Sequence, residues 1–276
     1  MKPLLLRVFD AVCAVAVEPG PVRDHLAFVY EQTRIRENAL PDISLGFSGQ
    51  PDGSFKVEAD GETLLEEARL LPALLCLDQE ILRRPLVLRA GVAGFHAAWL
   101  AHRDAAFFLV GPGGCGKSTL AYELGRRGFA YGADEVAALA TADGRVLPFP
   151  RKIMLKADNP LIPGLDLPQS PLNLLSALDG RYYVWPPGMA AAAPGHYRTY
   201  FFFLEYQPDC QLEAVPLDTL AALEKLFAAC FRLHRVNQTL YQMLVQALGP
   251  QTAFALRYSS PGAAAAFIRE IRDGHV

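Results

Sequence analysis

The sequence predicts an α/β fold with a smaller α+β region ahead of it, and three observations carry that reading. The apolar run Ala105–Val110 passes straight into a glycine-rich loop. An amphipathic stretch, 117–127, follows the loop and stops at Gly128, and a second apolar run, 129–133, comes next. Strand, loop, helix and strand in that order form the repeating unit of α/β proteins. The chain of 276 residues is 51% hydrophobic and 20% charged, the balance of a globular protein with a real core.

The elements follow in order. Residues 3–17 alternate loosely and are rich in Val and Leu, which predicts strand. Gly20-Pro21 opens a helix, with Val22, Leu26, Val29 and Tyr30 on one face. Short strands at 43–47 and 55–58 flank the turn Pro51-Asp52-Gly53. Residues 64–83 predict a helix kinked at Pro72, and Arg83-Arg84-Pro85 breaks the pattern. That break divides the chain into an α+β domain, 1–85, and a larger domain, 86–276. The larger one opens with a strand at 95–101, a turn at Arg103-Asp104 and the strand before the loop. Further on, 200–204 reads as a buried strand. Residues 217–248 read as two helices, with apolar faces at Leu220, Leu223, Leu226 and Phe227, then Val236, Leu240, Met243 and Leu244, for packing or an oligomer contact.

Bulk properties narrow the function classes. A net charge of −3 provides no global basic field for nucleic acid or an anionic membrane. The five cysteines are scattered, which argues against a disulfide framework or a zinc site and points to a cytoplasmic setting. Arg7 and Asp10 interrupt the N-terminal apolar run too early for a signal peptide, and no stretch approaches the ~20 apolar residues of a membrane helix.

The loop Gly111-Pro112-Gly113-Gly114-Cys115-Gly116-Lys117-Ser118 meets G-x-x-x-x-G-K-[ST] in full, with Thr119 next. Its glycines let backbone N–H groups turn toward phosphate oxygens, and the helix beginning near Lys117 points its positive end at the same anion. Lys117 suits the β- and γ-phosphates, and the Ser118 hydroxyl suits Mg²⁺. The loop therefore predicts a nucleoside triphosphate, ATP with Mg²⁺. Asp134-Glu135 ends the strand expected beside the loop, where a carboxylate can hold the metal or take a proton from an attacking hydroxyl. Arg151, Lys152 and Lys156 lie on an expected strand after the acids, and Arg151 and Lys156 are candidates to meet phosphate or substrate.

His96, 15 residues before Gly111, joins this series: strand with histidine, turn, apolar strand, phosphate loop, helix, strand ending in two acids. The order and spacing resemble the HPr kinase/phosphorylase family, and more closely the HPr-kinase-related kinases, some of which belong to peptide-biosynthesis clusters. The text 146–156 is similar to a proline-rich strand of those relatives, and Trp185-Pro186-Pro187 to a Pro-Pro element. The resemblance implies a P-loop kinase fold of the HPr kinase and phosphoenolpyruvate carboxykinase type, Mg²⁺-ATP, and transfer to a serine hydroxyl of a peptide or protein. It implies catalytic roles for Lys117, His96, Asp134 and Glu135, with Asp134 or Glu135 as the base, and a possible homo-oligomer. Residues 1–85 are then candidates to bind the acceptor. A small-molecule hydroxyl as acceptor and a non-catalytic nucleotide-binding module are the alternatives.

Overall fold

The computed structural model describes residues 2–159, 161–165 and 181–273, and its elements are mixed α/β with several sheets. The chain clusters into two compact units, Met1–Ala90 with Met154–Val184, and Gly91–Ile153 with Trp185–Val276. Among the described residues no helix is long and apolar enough to cross a membrane.

In the first unit, β1 (Leu4–Val8) and β2 (Ala11–Val17) form a hairpin, where the sequence suggested one strand. Phe9 and Asp10 turn the chain between them, both with positive φ. Helix α1 (Pro21–Val29) buries Leu26 and Val29. A five-stranded sheet follows the order β1-β2-β3-β4-β5, with β3 at Ile43–Gly49, β4 at Phe55–Ala59 and β5 at Glu62–Glu67. Helix α2 (Leu70–Leu88) packs against it through Ala73, Leu74, Leu77, Ile81 and Leu82.

The predicted helix at 64–83 is corrected at both ends. Residues 64–67 belong to β5, paired to β4, and the helix runs on through Pro85 to Leu88. Pro72 sits in the first turn, where a missing N–H costs nothing. Pro85 is held in the last turn by burial of Pro85 and Leu86.

In the second unit, β6 (Val92–Phe95) and β7 (Ala97–His102) replace the single strand expected at 95–101. The break falls at His96, because β6 and β7 pair in different sheets. Strand β6 joins β10 (Ala137–Ala140) and β11 (Val146–Leu147) in the order β11-β10-β6. Strand β7 pairs antiparallel with both β8 (Ala105–Val110) and β9 (Ala130–Ala133). Strand β9 is thus separated from β8 by β7, where the sequence suggested direct neighbours. Strand β12 (Ile153–Lys156), which from Met154 onward belongs to the first unit, pairs with β13 (Arg181–Val184) of that unit, so 146–156 is two short strands rather than one.

The six-stranded sheet runs β15-β16-β14-β8-β7-β9, with β14 at Arg198–Tyr206, β15 at Glu213–Pro216 and β16 at Ala253–Tyr258. Strands β14, β16 and β8 are parallel, and β9 shares their direction through β7. Helix α3 (Lys117–Gly125) packs with α6 (Pro261–Asp273), and α4 (Thr219–Ala228) with α5 (Gln238–Ala247). Leu223, Leu226, Leu240 and Leu244 are buried as expected, but Leu220 is 69% exposed and lies off the packed face.

Candidate functional site

Parallel direction decides what meets at one sheet edge. Strands β8 and β9 both end there, so Gly111 and Asp134 emerge at the same end of the sheet, and antiparallel β7 between them begins there, so His96 stands between the two. The backbone N–H of His96 donates to the Ala229 carbonyl at 2.7 Å, and that of Phe231 to the Gly94 carbonyl at 3.0 Å. These bonds pin the break between β6 and β7 and aim the imidazole along the edge.

The loop turns through Gly114 and Gly116, with φ of 85° and 90°. A Cβ on Gly116 would collide with the Tyr258 hydroxyl, which itself donates to the Cys115 carbonyl at 3.0 Å. Tyr258 ends β16, which runs parallel to β8, at the same end of the sheet as the loop, and braces the loop from there. Gly116 caps α3, so the unbonded N–H groups of the first turn face the loop. Ser118 and Thr119 lie in that turn.

Lys117 is buried and spends all three ammonium protons locally. It donates to the carbonyls of Gly111 (2.7 Å) and Pro112 (3.0 Å) and to His96 Nε2 (3.0 Å). Because Nε2 accepts, Nδ1 carries the proton and donates to the Glu135 carbonyl at 3.2 Å. The imidazole is a neutral tautomer, and burial together with the Lys117 charge lowers its pKa.

The two acids are unlike. Asp134 is 1% exposed. One oxygen accepts from the Glu135 backbone N–H at 3.1 Å, while its Oδ2 is buried without a hydrogen-bond donor. Burial pushes the Asp134 carboxyl up to about 6, helped by the charge of Glu135 and opposed by Arg151, the Ser118 hydroxyl and Lys117. Glu135 has a side chain 31% exposed, 3.9 Å from His96 Nδ1. Its φ of 78° is a left-handed conformation uncommon outside glycine, the kind of local strain that gathers at functional sites.

Arg151 is 2% exposed and Lys152 is also buried. A parallel bridge from Ala133 to Phe149 carries them toward the acids, with the Phe149 N–H donating to the Gly132 carbonyl. Arg151 thus acts on the Asp134 charge from within the protein. Lys156 is exposed at the end of β12 and belongs to the first unit. Structure therefore gathers the loop, His96, Asp134, Glu135 and Arg151 in one unit, without Lys156.

The donor set fits Mg²⁺ on a nucleotide. Among the described residues no three His, Cys, Asp or Glu side chains gather as a protein-only metal cage. Mg²⁺ is ordinarily held by one or two carboxylates, waters and substrate phosphates, and the buried, unpartnered Asp134 Oδ2 near Ser118 is a ligand of that kind.

No protein-family model and no curated protein matches the chain. Among solved structures it is similar to the Hpr(Ser) kinase/phosphatase from Coxiella burnetii, at 14% identity over 66% of this chain and 97% of that one, with a TM-score of 0.28. At that TM-score the relationship is distant.

Proposed function

We propose that the chain is an ATP- and Mg²⁺-dependent phosphotransferase that moves the γ-phosphate to a serine hydroxyl of a peptide or protein, through a P-loop domain of the HPr kinase type. The observation that carries the proposal is the convergence of Lys117, His96 and the two unlike acids at the mouth of the loop. Loop N–H groups, the start of α3 and Lys117 would hold the phosphates, with Lys117 exchanging its carbonyl partners for phosphate oxygens. Ser118 and Asp134 would hold Mg²⁺, which supplies charge neutralisation between the phosphates.

Glu135 is the better base. It is more exposed than Asp134, so an incoming hydroxyl can reach it, and its carboxylate is not buried against Ser118. His96, neutral and hydrogen-bonded to the Glu135 backbone, orients that residue and passes its Nε2 face to Lys117. Arg151 keeps Asp134 charged from behind. Residues 1–85 are proposed to present the acceptor.

The test is transfer from γ-labelled MgATP into a size-fractionated lysate, with Lys117→Ala and Glu135→Gln beside the wild type. Label entering peptide or protein with the wild type alone is the expected outcome. Label in small molecules would reassign the acceptor, and a wild type no faster than both variants at releasing phosphate would refute the proposal.

A further inference from the structure

Strand β9 reads Ala-Tyr-Gly-Ala, and Tyr131 is its one polar side chain. Its backbone is tied on both sides. It pairs with Leu100 of β7, and on the other side its N–H donates to the Ala190 carbonyl at 2.8 Å while its carbonyl accepts from the Ala192 N–H at 2.8 Å. The ring meets the Trp185 indole edge-on, with centroids 5.4 Å apart. Tyr131 is 0% exposed, so its hydroxyl does not reach solvent.

Among the described residues the Tyr131 hydroxyl is the one buried hydroxyl without a hydrogen-bond partner, and Asp134 Oδ2 is the one such carboxylate oxygen. Each is costly to keep in that state, and a phenylalanine would fill the place of Tyr131 without the cost. The two residues stand three apart, one within β9 and one just past its end. Burial first, and then the charge of Asp134, raise the pKa of the phenol, with Arg151 opposing them. The hydroxyl therefore keeps its proton and faces a carboxylate as a donor. Arg151 acts on Asp134 too, so one buried cation serves both groups.

Carboxylates that hold a metal are themselves held by hydrogen bonds. Asp134 Oδ1 has the Glu135 N–H for this purpose, and Oδ2 has no direct donor. A buried water joins such groups with hydrogen bonds nearly as good as direct ones. We infer that Tyr131 is a positioning residue for Asp134: its hydroxyl donates, through one bridging water, to Asp134 Oδ2 and leaves the other lone pair of that oxygen directed at the metal. The inference rests on Asp134 holding Mg²⁺ in the phosphotransfer reading.

Tyr131→Phe deletes the hydroxyl and keeps the ring against Trp185. The probe is Mn²⁺ in place of Mg²⁺, titrated by electron paramagnetic resonance into protein loaded with the β,γ-imido analogue of ATP. Calorimetry with inorganic tripolyphosphate in EDTA reads the loop without metal. Mn²⁺ affinity is expected to fall about tenfold or more in Tyr131→Phe, as for loss of an outer partner of a metal ligand. Metal-free tripolyphosphate binding should stay within about twofold of wild type, which also reports an intact fold and loop. In an Asp134→Asn background the same deletion should alter Mn²⁺ affinity by less than about twofold, because the group it acts through is gone. Unchanged Mn²⁺ affinity in Tyr131→Phe overturns the inference alone. Equal weakening of Mn²⁺ and tripolyphosphate overturns it as well, since that marks a general structural role, and so does an undiminished effect beside Asp134→Asn. A wild type that binds neither the analogue nor tripolyphosphate sinks the phosphotransfer reading and this inference with it.

Discussion

Four side chains at the loop mouth divide the work by how each is buried. Lys117 is positioned by its own loop carbonyls, so Lys117→Ala leaves the carbonyls of Gly111 and Pro112 without that donor as well as removing the charge. Loss of one preorganised donor of this kind costs about 10²–10³ in turnover, and we expect transfer to fall by at least that much. Glu135→Gln keeps the shape of the residue but not the proton acceptor. Turnover should drop about 100-fold or more, as for loss of general base catalysis, while MgATP affinity changes little. Asp134→Asn should show the reverse emphasis, with a large rise in the Mg²⁺ concentration needed for half-maximal rate. Equal Mg²⁺ dependence in Asp134→Asn and wild type would remove Asp134 from the metal. His96 was recognisable in the sequence only through its spacing to Gly111, since one histidine beside Phe95 and Trp99 also reads as core.

At the scale of elements, two close approaches hold the edge in place. Gly132 lies against the indole of fully buried Trp99, where any Cβ would overlap the ring. Gly132→Ala must shift β9 or rotate Trp99, and overpacking of this kind destabilises by about 1–3 kcal/mol. Because the acids follow β9 directly, the variant should lose activity beyond its loss of stability, as seen by comparing rates well below the melting transition. Tyr258→Phe removes the hydroxyl that meets the Cys115 carbonyl. A loss of about 1 kcal/mol is expected for that hydrogen bond, together with weaker tripolyphosphate binding. Unaltered phosphate binding would show that the loop needs no brace from β16. The stop at Gly128, with its positive φ, was legible in sequence, but the amphipathic face expected of α3 was not: residues 120–125 are buried consecutively, so the helix is covered nearly all round. Strand β5 was not legible either, because 62–67 alternates weakly and its Leu64 and Leu65 continue into a helical pattern.

For the whole molecule, stability is coupled to the charge of Asp134. Its folded carboxyl titrates near 6 against an ordinary 3.8, so between these values the folded chain binds more protons than the unfolded one. The stabilising contribution of the protonated acid is complete below about pH 4 and is lost as pH rises through about 6, at a cost of up to about 3 kcal/mol. Denaturant melts between pH 4 and 8 should show this decline in wild type and a flatter profile in Asp134→Asn; matching profiles would place the titration elsewhere. MgATP at 100 times its dissociation constant should add about 2.7 kcal/mol to wild type and nothing to Lys117→Ala. The sequence by itself determined the loop, its lysine and serine, and the two acids after the next strand, because glycine conformations, helix starts and apolar runs are local properties of neighbouring residues. Only the tertiary structure decided that His96 breaks a strand between two sheets, that β7 stands between the loop strand and the acid strand, and that Arg151 is buried behind Asp134 while Lys156 belongs to the other unit. Those outcomes depend on strand order and on pairing between residues far apart in the chain, such as Ala133 with Phe149. Such pairing is set by which apolar faces bury together across the whole sheet and leaves no periodic mark in either segment.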